Sequence, residues 1–205
     1  MRSRQAGWVL VLVFAALGAL LVVSLQTARG DVVQWLVQDG GNGHFYEPVT
    51  TAPPGVSWSV AKAAAESAGG YLVTITSAQE SAFVFSLVTD PKYWVSGGGN
   101  VFGLWLGGYQ GENSPEPNGG WRWVSGEPWI FTAWAAGEPN NQGGNENVLS
   151  YMGKGIAAPT WNDGVDVQPT NPASPGYIIE YIPEPATLSL LALGVAALMA
   201  RRKKN

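Results

Sequence analysis

The sequence predicts an α+β domain: two helices first, then a run of short antiparallel strands. Three observations carry this. Residues 56–68 place apolar side chains at spacings of three and four. Residues 71–76 alternate and are β-branched, as a half-buried strand does. From Val101 onward, short Trp-rich segments alternate with Gly, Pro and Asn. Helical period followed by strand period, with no repeated β-α-β order, is the α+β pattern. A chain of 205 residues holds one such domain with appendages.

The elements follow in order. Residues 31–37 and 44–49 are strand candidates. The first helix covers 56–68, with Trp58, Ala61, Ala65 and Ala68 on one face, and Gly69-Gly70 stops it. A strand covers 71–76. Ser77 and Glu80 form a capping box that opens the second helix, which runs to about Val88 with Phe83 and Leu87 inward. A Gly-rich break at 96–100 precedes the Trp-rich strands.

Composition excludes several chemistries. The chain has no Cys and one His, His44, so a zinc site of the usual nitrogen and sulfur kind cannot be built. A Cys nucleophile is absent, and His44 in N-G-H-F-Y-E suits a structural place at a strand edge. Between Asp31 and Glu184 there are four basic residues against all fifteen acidic ones, which repels nucleic acid. The other seven basic residues lie in the appendages. Arg2 and Arg4 precede an apolar run at 7–25, and Ala28-Arg29-Gly30 follows. Charged start, apolar middle and small-residue end describe an export signal cut after Gly30.

The densest chemistry lies between Trp134 and Asp163. Glu138 and Asn140 flank Pro139, Glu146 follows, and Trp161-Asn162-Asp163 closes the stretch. Glu138, Asn140, Glu146, Asn162 and Asp163 all offer side-chain oxygens. Hard cations such as Ca²⁺ take six to eight oxygen ligands, so this Gly/Asn-rich loop suits calcium. A second Glu-Pro-Asn, at 116–118, has no Trp-Asn-Asp partner at a matching distance and reads as a turn.

The order of these pieces resembles the C-type lectin-like domain family. The likeness starts near Phe45 and runs to Tyr181. It includes Trp58, G-G-Y-L-V-T-I at 69–75, S-A-Q-E-S-A-F at 77–83, W-L-G-G at 105–108, W-R-W-V-S-G-E-P at 121–128, the E-P-N at 138–140, the W-N-D at 161–163 and Y-I-I-E at 177–180. The resemblance implies that Glu138, Asn140, Glu146, Asn162 and Asp163 hold Ca²⁺ and touch a glycan. Acids would accept from vicinal hydroxyls while the two amides donate to them. E-P-N in the family goes with mannose, glucose and fucose-type sugars, and Pro139 is expected to be cis in the loaded state. Trp134 and Trp161 are expected in the core, with Trp129 as a sugar platform. Family members usually carry two disulfides. Here Ala65 and Ile179 stand at one implied pair, and Val148 and Asp166 at the other. The bridges are absent together, so packing or calcium must replace about 2–4 kcal/mol each. The resemblance implies a non-enzymatic binding protein; the alternative is a surface adhesion or structural module that binds protein without reading sugar.

The end of the chain is a separate module. Pro183-Glu184-Pro185, an apolar run at 186–200 and Arg201, Arg202, Lys203 and Lys204 resemble the PEP-CTERM sorting signal of Gram-negative bacteria. That resemblance implies export, transient anchoring in the membrane and processing by an exosortase-type enzyme. The basic tail fits retention on the inner side. The expected organisation is thus a signal peptide at 1–30, a C-type lectin-like domain at 31–182 and a sorting and transmembrane segment at 183–205. The protein is expected at the cell envelope or surface, or in the extracellular matrix.

Overall fold

The computed structural model describes residues 27–166 and 174–183. The apolar leader, Glu184, Pro185 and the segment that follows lie outside the described residues. Among those described, the strands form one ten-stranded sheet whose main path runs β1-β3-β10-β6-β8-β9. These are β1 (Thr27–Arg29), β3 (Phe45–Thr51), β10 (Gly176–Tyr181), β6 (Asn100–Gln110), β8 (Val148–Lys154) and β9 (Trp161–Gly164). Shorter strands join from the side: β2 (Val33–Gln34) on β3, β4 (Tyr71–Leu72) on β10, and β5 (Val95–Gly97) and β7 (Trp121–Trp123) on β6. Pairing is antiparallel except between β10 and β6. The predicted α+β class is the observed one.

Helix α1 (Trp58–Ser67) forms where the Ala-rich periodicity places it, and Trp58, Ala61 and Ala65 are its buried residues. Its own N-cap, Ser57, makes no side-chain capping bond. Asp166 supplies one instead, accepting from the Ser59 N–H at 3.0 Å. Two indoles join this helical end to the sheet. Trp58 Nε1 donates to the Leu106 carbonyl at 2.7 Å, and Trp105 Nε1 donates to the Val56 carbonyl at 2.7 Å.

Helix α2 (Ala78–Ser86) is capped by Ser77, which accepts from the Glu80 N–H. It stops short of Val88, and its inward stripe differs from the expectation. Val84 and Val88 are fully buried, whereas Phe83 and Leu87 are partly buried against the same core. The stripe is displaced because Glu80 itself points inward. Its carboxylate accepts from Thr76 N and Oγ1, Tyr46 Oη and Asn42 Nδ2, at 2.7–3.1 Å.

Two expected strands are shorter than predicted. The region 31–37 keeps two paired residues and then turns at Val37–Asp39, where Gly40 takes the left-handed conformation. After Leu72 the chain leaves the ladder, although the Val73 N–H still donates to Ile178. Upstream, β1 pairs Thr27–Arg29 with Val49–Thr51, so a cut after Gly30 would take this strand with the leader.

Packing occupies three of the four implied bridge positions, Ala65, Ile179 and Val148. Ala65 and Ile179 are both fully buried in one cluster with Val148, Trp58 and Trp105. A second cluster gathers Trp121, Trp123 and Trp161, with Trp129 and Trp134 half-buried against it. Trp123 lies 4.5 Å from Trp129 and 5.6 Å edge-on from Trp161, separations at which aromatic pairs attract.

Candidate functional site

The indole cluster holds the site strand in place. Trp161, fully buried, opens β9 and bridges to Trp134. The Ala135 N–H donates to the Trp161 carbonyl at 2.9 Å, and the Trp161 N–H donates to Ala133 at 2.8 Å. On its other side β9 pairs with β8, Asn162 opposite Ser150 and Asp163 opposite Leu149. The loop after Trp134 is therefore fastened beside Asp163 before any polar side chain acts. Trp134 and Trp161 are core residues, as expected. Trp129 belongs to the same cluster, within 6.3 Å of Trp121, Trp123, Trp134 and Trp161, and is only partly buried there.

Asp163 is the centre of the loop. Its carboxylate is fully buried and accepts from the backbone N–H groups of Asn140, at 3.1 Å to each oxygen, and Asn141, at 2.7 Å. One residue on, the Gln142 N–H is shared between Asn140 Oδ1 at 2.8 Å and Glu146 Oε2 at 2.7 Å. The Glu146 N–H in turn donates to Asn141 Oδ1 at 3.0 Å. Asn140, Glu146 and Asp163 are thus brought onto one short stretch of backbone. Asn162 is placed differently. Its amide donates to the Asp163 carbonyl, and among the described residues no hydrogen bond joins it to the other three.

Glu138 stands against this group with the peptide to Pro139 cis. Its Oε2 is buried without a hydrogen-bond partner. Burial pushes the carboxyl up to about 7, helped by the neighbouring Asp163 and Glu146 carboxylates. Burial also raises Glu146, opposed by the Gln142 N–H and aided by Asp163. Burial and neighbouring acids thus raise both Glu138 and Glu146.

This donor set suits a hard cation in chemistry: carboxylate and amide oxygens, no nitrogen or sulfur, and one buried oxygen lacking a partner. It is not a ready cage. Among the described residues, no three His, Cys, Asp or Glu side chains are gathered as a metal cluster, and backbone N–H groups occupy part of the carboxylates.

Two features of the loop went unread in the sequence. Asn141 takes the left-handed conformation, at φ 48° and ψ 47°, and contacts both Asp163 and Glu146. The doubled Asn after Pro139 is the signal that could have found it, since Asn adopts this conformation more readily than most residues. The Gln142 N–H leaves no trace in sequence. The copy at 116–118 also has a cis proline peptide, but the Pro117 carbonyl is tied to Gln110 Nε2 at 3.1 Å and Trp121 Nε1 at 3.0 Å. It is a turn held on β6 and β7.

Known proteins place these observations. The model of the Lectin C-type domain matches residues 55–171, and that of the PEP-CTERM protein-sorting motif matches residues 182–204. C-type lectin lectoxin-Lio1 of Erythrolamprus poecilogyrus is 36% identical over 84 residues, which are 41% of this chain and 45% of that protein. The chain therefore spans less than half of that relative's length. Lectin BRA-3 of Megabalanus rosa is 30% identical over 139 residues, covering 67% of this chain and 69% of that one. Among solved structures, the cow C-type carbohydrate-recognition domain of CD23 shares the fold. It has a TM-score of 0.50 at 22% identity, over 69% of this chain and 90% of that one.

Proposed function

The chain belongs to the Lectin C-type domain family and carries an export and sorting motif, and from that premise we propose that it is a calcium-dependent glycan receptor displayed outside the cell. Family and motif make it an exported, lectin-like binding protein of the surface or envelope, not an enzyme. The calcium and the sugar are the proposal. The observation that carries it is Glu138: a buried carboxylate oxygen with no partner, beside two more acids. Such an arrangement is costly without a cation and is relieved by one.

In this reading Glu138, Asn140, Glu146, Asn162 and Asp163 hold Ca²⁺, and the acids and amides also meet the sugar. Calcium held by these residues would supply coordination for the oxygens of two vicinal hydroxyls. The chain's own part is polarity: Glu138 accepts from a hydroxyl on one side of Pro139, and the Asn140 amide donates on the other. That order suits mannose, glucose and fucose-type sugars. An exosortase-type enzyme processes the segment at Pro183, Glu184 and Pro185, which anchors the protein transiently in the membrane of a Gram-negative bacterium.

A second reading has support from one observation. Asp163 and Glu146 are already satisfied in part by loop N–H groups, so the loop keeps a shape without a cation. An adhesion module that binds protein without sugar would use the loop in that form.

One exchange separates the readings. Glu138→Gln with Asn140→Asp keeps two oxygens and the total charge but reverses donor and acceptor. A mispaired buried group costs about 1–3 kcal/mol. Calcium affinity should change little, mannose binding should fall roughly tenfold or more, and galactose-type binding should gain. The same exchange at Glu116 and Asn118 should do nothing. Sugar preference unchanged by the first exchange, with calcium still bound, would leave the adhesion reading in its place.

A further inference from the structure

Outside the five proposed ligands, Asn141 meets two of them, Asp163 through its backbone N–H and Glu146 through its side chain. Asn141 lies between the Glu138-Pro139-Asn140 turn and Glu146. Its N–H donates to Asp163 Oδ2 at 2.7 Å, and its Oδ1 accepts from the Glu146 N–H at 3.0 Å. Both bonds depend on the left-handed backbone at φ 48° and ψ 47°. That conformation turns the N–H toward β9 while the short side chain reaches forward along the loop. An L-residue other than Asn, Asp or Gly adopts it reluctantly.

From this geometry we infer that Asn141 is the positioning residue of the loop: it sets Glu146 against Asp163, and so sets the calcium affinity and sugar readout without itself being a ligand. The inference rests on the calcium reading above for its functional consequence. Its structural half stands separately. Glu146 is four residues from the Gln142 N–H it accepts from, on a stretch with Gly143 and Gly144 in positive-φ conformations. Glycines give that stretch little stiffness of its own. The Asn141 amide oxygen closes it from the other end, so Glu146 is held at both its N–H and its carboxylate. Losing the Asn141 bond leaves a single tie across two glycines.

Three substitutions divide backbone from side chain. Asn141→Gly keeps the conformation and removes the acceptor. Asn141→Ala removes both. Asn141→Asp keeps both. Calcium alone, titrated calorimetrically into the mature protein, should bind roughly three- to tenfold more weakly to the Gly variant, in keeping with one lost hydrogen bond. The Ala variant should be weaker still. The Asp variant should match the wild type or exceed it, which a merely structural defect would not produce. Amide hydrogen exchange in chelator supplies a second readout. The Glu146 N–H should exchange on the order of tenfold faster in the Gly variant while β6 and β8 amides stay unchanged.

Equal calcium affinity in the wild type and the Gly and Ala variants would overturn the inference. So would Glu146 exchange that the Gly variant does not alter. A wild type that takes no calcium, with the exchange difference present, would overturn the calcium reading and leave the positioning role standing.

Discussion

The chain's single histidine meets a nearly fully buried carboxylate. His44 Nδ1 lies 2.6 Å from Glu180 Oε1, with side chains 18% and 1% exposed. The Thr74 N–H and Tyr46 Oη also reach Glu180, and Glu80 stands on the far side of Tyr46. The hydrogen bond to Glu180 raises His44 above its usual 6.5 despite burial, with Glu127 and Glu80 adding to the effect, and burial raises Glu180. The folded protein therefore keeps a proton that the unfolded imidazole releases. Stability from the pair is complete below about pH 6.5 and is lost as pH rises through the folded value of His44. Melting temperature should fall as pH rises above about 6.5, and His44→Gln should flatten that slope while costing on the order of 1.5–3 kcal/mol at pH 6. An unchanged slope in the variant would show that His44 does not carry it. The strand-edge place of His44 was readable from its neighbours in sequence. Its partner was not, because Glu180 lies 136 residues away and the pairing exists only after β10 closes beside β3.

At the scale of elements, what was legible followed from period. Helix α1 emerged close to its expected span because four apolar positions repeat at helical spacing, and Ser77 marked the start of α2 through its own side chain. The inward face of α2 was misread because a buried Glu breaks the apolar stripe, and a carboxylate gives no hydropathic signal that it will be satisfied inside. The loop was legible in its candidate oxygen-bearing side chains, Glu138, Asn140 and Glu146 between Trp134 and Trp161, and Asn162 and Asp163 directly after Trp161. It was not legible in its backbone, where Asn141 and the Gln142 N–H do the organising. Asp166 shows the same limit. Family resemblance set it at a missing bridge, whereas the structure uses it as a distant cap on α1. Asp166→Ala should then destabilise the domain by about 0.5–2 kcal/mol, and Asp166→Asn by less, since Asn still accepts. Urea denaturation measures both. Equal stability of the Ala variant and the wild type would remove the cap from the account.

At the scale of the whole molecule, the two chain ends and the domain divide the work. Seven of the eleven basic residues sit in the appendages and the acids gather between Asp31 and Glu184, as suits a charged tail held back at a membrane while an acidic body is exported. Among the described residues no helix is long and apolar enough to cross a membrane. In a host with the processing enzyme, Glu184→Ala should leave full-length protein in the membrane fraction. An intact basic tail on surface-exposed wild-type protein would contradict the sorting account. In the sheet, β9 with its loop lies at the opposite edge from β1 and β3, with β10, which leads into the sorting motif, between them. The domain thus presents its acidic loop on strands other than the one that leads into the sorting motif. A glycan array read twice with the same mature protein, once in calcium and once in chelator, tests the central claim most directly. The account predicts retention of mannose, glucose and fucose-type glycans in calcium and their loss in chelator. Glycan binding that chelator leaves unchanged, or no glycan bound in calcium by folded protein, would contradict it.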